Sequence, residues 1–329
     1  LEVAGKQAQV VIANPSGLVC DGCGVINADR FTLTTGQAVM NQGYLESFRV
    51  REGQVTIEGK GLNGSMTPYT DIYARALNVN AGLYANELKT VLGQNDINLQ
   101  DPSAPQITKA TTSGTATTQT PPQPSYALDV GQLGGMYAGK IYLIGTENGL
   151  GVRNAGSINA TSSSMTLNAN GDLSNTGNII ANKDQIAIQA QNVQNSGNIS
   201  STQSKIQLDA TDIQNSGLIA TSDELKLNAQ GNINNNNGVI NAGRLDLTAQ
   251  SLSNNTGKIE QTGQQQLNIT AKNLDNTQGL IGQATQENSA GTGSSTGGTT
   301  TPTVTDPEQN SSAQDASTVT VAPTESSVP

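Results

Sequence analysis

Two cysteines, a scatter of carboxylates and a recurring asparagine are the residues whose types and spacing could do chemistry here. Histidine is absent from all 329 residues. That removes the commonest general base and the commonest metal ligand together. Cys20 and Cys23 form the motif Cys-Asp-Gly-Cys. One C-x-x-C, with no second pair and no histidine, cannot complete a four-ligand zinc site. A redox centre of thioredoxin type needs a βαβ setting and a helix N-terminus, which the flanking sequence does not provide. The motif therefore reads as a disulfide closing a tight turn in an oxidising compartment, with free thiols as the alternative. No cofactor and no metal are expected.

A polysaccharide lyase or hydrolase site would need two or three carboxylates clustered on one face. From residue 154 onward they occur about once per repeat: Asp172, Asp184, Asp209, Asp223, Asp246, Glu260 and Asp275. Asp209 aligns with Gln189, Asn228 and Thr248 in neighbouring repeats, so no carboxylate column is expected and no catalytic residue is assigned. The recurring asparagine (Asn154, Asn175, Asn195, Asn215, Asn236, Asn255, Asn276) resembles a ligand ladder. Amides stacked in register would bond to one another instead. Asn and Gly would also supply turn positions with positive φ. The structural pairs so assigned are Asn175 with Gly177, Asn195 with Gly197, Asn215 with Gly217 and Asn255 with Gly257.

These residues sit in an array that fills 154–282. Asn-x-Gly-x-Ile recurs with glycines at 156, 177, 197, 217, 238, 257 and 279, at spacings of 21, 20, 20, 21, 19 and 22. A period near 20 signals a solenoid. Between the glycines lie alternating runs such as QIAIQ at 185–189, KIQLD at 205–209 and RLDLT at 244–248, which have the two-residue period of a strand. A third apolar position (Leu173, Val193, Ile213, Ile233, Leu252, Leu274) precedes each asparagine. Each repeat thus supplies about three short strands, one rung of a parallel β-helix. A lone rung cannot satisfy its backbone or bury its apolar face, so rungs must stack.

Composition fits this. The chain is 34 % hydrophobic with 36 glycines, which suits a thin core. Its seven tyrosines and two phenylalanines all precede residue 143, which predicts a different, denser first part. Net charge is −10, and the 16 Lys and Arg are scattered singly. No phosphate-neutralising patch exists, so no nucleic-acid partner is expected, and no small-molecule substrate either. No apolar run reaches membrane-spanning length. The chain opens directly in strand-like sequence, which suggests a mature or truncated beginning.

In order, residues 1–100 read as short strands with Gly/Asn/Pro turns. Asn14-Pro15-Ser16-Gly17 suits a type I turn. Residues 69–86 read as strands with one helical turn, since Asp71 and Arg75 lie four apart. Residues 101–125 are Thr/Pro/Gln/Ser-rich and read as a flexible insertion. Residues 283–329 are Ser/Thr/Gly/Pro-rich and read as a disordered tail or linker.

Three blocks, ANPSGLVCDGCGVIN at 13–27, YTDIYARALNVNAGLYANELKTVLGQNDI at 69–97 and YALDVGQLGGMYAGKIYLIGTENGLGVRNAG at 126–156, resemble the secretion domain of two-partner-secreted exoproteins. The likeness is to filamentous haemagglutinins and most of all to contact-dependent growth-inhibition (CdiA-type) effectors, and it extends over roughly 1–282. The resemblance implies an all-β fold, a right-handed parallel β-helix with an N-terminal cap and extra-helical elements. Residues 1–153 would form the secretion domain. It implies no enzyme in this segment. Its partner would be an outer-membrane Omp85-type transporter with periplasmic POTRA domains. The localisation would be secreted or at the surface of a Gram-negative cell, by way of the periplasm. Asn14, Pro15, Ser16 and Gly17 match the family's Asn-Pro-Asn-Gly-Ile motif, departing at Ser16 and Leu18, and so inherit a secretion role. The companion Asn-Pro-Asn-Leu motif would lie before Leu1. Paired cysteines at Cys20 and Cys23 are typical of the growth-inhibition branch. The parent would be a toxin-delivery effector that meets a receptor on a target cell, or alternatively an adhesin.

Overall fold

Alternation of inward aliphatic and outward polar residues builds three flat faces that repeat along one axis. The computed structural model describes residues 1–110, 123–283 and 318–321, and these contain no helix. The chain winds as a parallel β-solenoid of about 13 turns. In one rung the first face is Ser157–Ala160, the second Met165–Asn168 and the third Leu173–Asn175. Each strand pairs in register with its counterpart one rung on, as Ser157–Ala160 does with Asn178–Ala181.

This register sorts the core into columns. Ile158, Ile179, Ile199, Ile219, Ile240, Ile259 and Ile281 stack on the first face. Ile188, Leu208, Leu227 and Leu247 stack on the second. One apolar cluster runs without a break from Cys20 to Ile281. The aromatic first part is therefore the same solenoid as the repeats, and its extra density has another source.

That source is a second layer. Two excursions leave the corner between the second and third faces. They form a four-stranded antiparallel sheet from Gln37–Asn41, Tyr44–Val50, Asn95–Asn98 and Gln106–Lys109. Phe48, Val50, Tyr73, Val91 and Ile97 pack between this sheet and the outer side of the second face. The insertion expected over 101–125 is thus ordered at its start, because Ile107 adds to that cluster. Residues 111–122 lie outside the described residues.

Residues 69–86 contain no helical turn: apart from the corners at Arg75, Asn80 and Ala81 they fall in the strands Gln54–Ala74, Ala76–Val79 and Gly82–Leu92. The i, i+4 spacing of Asp71 and Arg75 misled because both pair across rungs. Asp71 takes Arg30 at 2.6 Å and Arg75 takes Glu147 at 2.9 Å. Of the tail expected from 283, Gln283 ends the strand Leu280–Gln283, and Thr318–Val321 pairs antiparallel with residues 267–270. The rest of it lies outside the described residues.

Leu208 is fully buried in its column. Leu208→Lys places a charge there without a partner, which should cost at least about 3 kcal/mol. A large fall in Tm is expected by circular dichroism, and an unchanged Tm would contradict the inward orientation of that strand.

Candidate functional site

The N-terminal end of the stack is built differently from the repeats. The strand Ala8–Ala13 lies on Ala28–Thr34 in parallel, and the chain then turns the corner through Asn14–Gly17. The Gly17 N–H donates to the Asn14 carbonyl at 3.0 Å, the bond expected of a four-residue turn. The Ser16 N–H donates to Asn14 Oδ1 at 3.2 Å, which adds an Asx-type turn. The Asn14 N–H donates to the Thr34 carbonyl of the next rung at 3.0 Å, tying the turn down. Asn14, Pro15 and Ser16 are exposed.

The turn sits on the following corner at close range. Gly53 has φ +82°, and a Cβ there would stand 2.4 Å from the Pro15 carbonyl oxygen. Only glycine meets both conditions. Gly53 was missed in the sequence because it belongs to no motif and its role exists only through rung stacking.

Just beyond the turn, Cys20 and Cys23 are joined in a disulfide, with Cα atoms 5.4 Å apart. It lies where the pairing of Leu18–Gly24 with Gln54–Ala74 slips. Asp21 faces Glu58, but Cys23 faces Leu62. Gly59, Lys60 and Gly61 bulge opposite the CDGC bend, and Asp21 Oδ1 accepts the Lys60 N–H at 2.8 Å. Cys20 is buried in the core and stacks on Ile57, Val79 and Val130 in one column of the third face.

That same column becomes the asparagine ladder. Val130 pairs with Asn154, and from there Asn154, Asn175, Asn195, Asn215, Asn235, Asn254 and Asn276 follow. Each Nδ2 donates to the next Oδ1 at 2.7 Å. Asn154 Oδ1 is buried and unpartnered, because the rung before it offers a valine. The ladder therefore starts abruptly, where the repeats start.

Two positions differ from the sequence reading. Asn235 and Asn254 hold the ladder, not Asn236 and Asn255. In these rungs the turn has one more residue, and counting back from Gly238 and Gly257 lands one position late. The apolar residue two before the ladder, Ile233 or Leu252, gives the right position. Asn255 instead donates to Asp275 Oδ2 at 2.9 Å. With Thr277 it holds that carboxyl below the usual carboxylate range.

The glycines also have another reason than the one expected. Gly177, Gly197 and Gly217 do not have positive φ; in the long turns that conformation falls to Asn237, Thr256 and Gln278. The glycines are needed for proximity. A Cβ on Gly197 would stand 2.2 Å from the Gly177 carbonyl oxygen, and one on Gly257 would stand 2.1 Å from the Asn235 carbonyl.

Asp209 faces Gln189 and Asn228 in register. Its oxygens accept from Asn228 Nδ2 at 2.7 Å and Gln207 Nε2 at 2.8 Å. Among the described residues no group of three His, Cys, Asp or Glu could hold a metal ion.

Residues 1–175 match the TPS secretion domain. The chain belongs to the TPS secretion domain family. The match takes in the exposed turn, the disulfide corner and the first two amides of the ladder. A "Toxin CdiA" of Yersinia pestis is 47% identical over 188 residues, 57% of this chain and 5% of that protein. A "tRNA nuclease CdiA-2" of Burkholderia pseudomallei is 42% identical over 174 residues, 53% of this chain and again 5% of the relative. The matched part of the chain thus spans about one-twentieth of the length of these curated relatives. Among solved structures, a filamentous hemagglutinin secretion domain aligns at TM-score 0.45 with 25% identity, covering 75% of this chain and 66% of that one.

The ladder gives this TPS domain chain a sharp test. Asn254 is buried and makes bonds to Asn235, Gly257, Asn276 and Leu280. Asn254→Ala should lose about 1–3 kcal/mol, the scale for buried polar groups left unpaired. Asn255→Ala should lose under about 1 kcal/mol. Urea denaturation measures both, and the reverse order would contradict the assignment.

Proposed function

We propose that the Asn14–Gly17 turn, presented on the first rungs, addresses this chain to a cognate outer-membrane transporter of the Omp85 type. The transporter's periplasmic POTRA domains receive it, and the chain reaches the cell surface or medium of a Gram-negative organism by way of the periplasm. The observation that supports this is the build of the turn. Its Asn14, Pro15 and Ser16 are exposed, while its backbone is fastened to Thr34 and packed on Gly53. A displayed side-chain pattern on a fixed support suits recognition better than packing.

The parent is a contact-dependent toxin-delivery effector, the reading favoured by relatives named Toxin CdiA and tRNA nuclease CdiA. Toxin activity and contact with a target-cell receptor belong to parts of the parent other than this one. The array from 154 serves as the start of its stalk. The periplasm offers no ATP, and solenoid stacking supplies a drive in its place: each rung that emerges folds on the one before it. A disulfide that spans two residues closes too small a loop to obstruct threading.

Coexpression of the chain with its transporter tests the address. Asn14→Ala with Pro15→Ala should abolish its appearance in the medium, while thermal unfolding of the purified variant stays within a few degrees of wild type. Secretion at the wild-type level by that folded variant would remove the role from this motif.

A further inference from the structure

The outer side of the second face carries a charged cavity that neither export nor stacking calls for. Its volume is ≈ 230 Å³, and Arg30, Tyr69, Asp71, Glu87, Lys89, Ser103 and Lys140 line it. Stacking assembles it from four rungs. Arg30, Tyr69, Glu87 and Lys140 are successive register partners, and Asp71 pairs with Lys89 beside them. Ser103 comes from the excursion that forms the antiparallel layer.

The charges do not balance inside it. Arg30 Nη1 meets Asp71 Oδ2 at 2.6 Å, and both side chains are more than nine-tenths buried. The Arg30 guanidinium also lies 4.5 Å from the Tyr69 ring centroid. Lys140 is 3.5 Å from Glu87. Those two carboxylates are thereby engaged, and Lys89 is left over. Its Nζ donates to the Ser103 carbonyl at 2.6 Å, a neutral acceptor. Lys89 is 9% exposed, and burial pulls its ammonium below the usual lysine range against the attraction of Asp71. Arg30 Nε is buried and makes no hydrogen bond.

A buried ammonium whose hydrogen bond goes to a neutral carbonyl, in a cavity lined by three cations and two carboxylates, has no carboxylate of its own. Charged donors removed from water need charged acceptors, and oxyanions supply them in a planar or tetrahedral array that guanidinium matches. We propose that this cavity is a binding site for one small oxyanion, met by Lys89 Nζ, with Arg30 and Lys140 supplying further positive charge in its lining. A cavity of that volume suits a ligand on the scale of a monosaccharide acid. The carboxylate of such a sugar and inorganic phosphate share this chemistry. The site is independent of the export motif, which lies on the corner at Asn14–Gly17.

Isothermal titration of the full chain with sodium glucuronate, sodium phosphate and glucose, at constant ionic strength, tests this. Wild type should bind at least one of the two anions and not glucose. Tighter binding of glucuronate assigns the site to acidic sugars, and tighter binding of phosphate assigns it to the free ion. Lys89→Met should weaken binding about tenfold or more, the worth of one charge-assisted hydrogen bond. Lys226→Met, an exposed lysine of the same face, should leave it unchanged. Lys140→Met, on the cavity rim and half exposed, gives a second variant whose folding does not depend on a buried charge; it too should weaken binding. Absence of binding by both anions, or equal binding by wild type and both cavity variants, would overturn the proposal.

Discussion

In-register parallel pairing between rungs is the constraint on which the rest of this molecule depends. A strand of four residues has no partner within its own rung. Its N–H and C=O groups are satisfied only by the rungs before and after, at a spacing of about 4.8 Å. Residues one repeat apart are therefore held in contact, and each column along the axis must tolerate its own residue type stacked on itself. Aliphatic side chains do so by burying area. Asparagines do so because an amide both donates and accepts, and the chain of 2.7 Å bonds from Asn154 to Asn276 is the result. Glycines do so at the corner, where a carbonyl of one rung presses on the α-carbon of the next.

The irregular features of the fold cluster where a column changes. On the third face one column reads Cys20, Ile57, Val79 and Val130 before it becomes asparagine at 154. The disulfide closes its first member against a bend that the opposing strand matches with its own bulge. The corner between the second and third faces carries the exposed Asn14–Gly17 turn and then both excursions of the antiparallel layer. The repeats carry no such departures; they lengthen the scaffold.

The sequence was most legible where the period was strict. Three strands per repeat, the inward aliphatic set and the absence of a carboxylate column all follow from alternation and spacing. Legibility failed where one added residue shifted the count, as at Asn235 and Asn254. It failed again where a familiar residue had an unfamiliar reason, since glycine suggests positive φ while these glycines answer a contact one rung away. The helical turn read among the strands of 69–86 failed because a second layer covers that face, so outward positions such as Tyr73 are apolar and the simple alternation is lost. Gly53 and the Arg30–Lys89 cavity join residues from different rungs, and no local pattern announces either.

Cysteine pairs introduced across neighbouring rungs test the register directly. Gln194 and Gln214 are register partners and both point outward, so their α-carbons stand about 4.8 Å apart, within reach of a disulfide. Gln194 and Asp212 share that face but are displaced by two residues, about 8 Å apart. After mild oxidation and peptide mapping, the Gln194→Cys, Gln214→Cys chain should be cross-linked nearly completely and the Gln194→Cys, Asp212→Cys chain should not. Equal cross-linking of the two pairs, or preference for the displaced pair, would contradict in-register stacking and with it the account of every column in the fold.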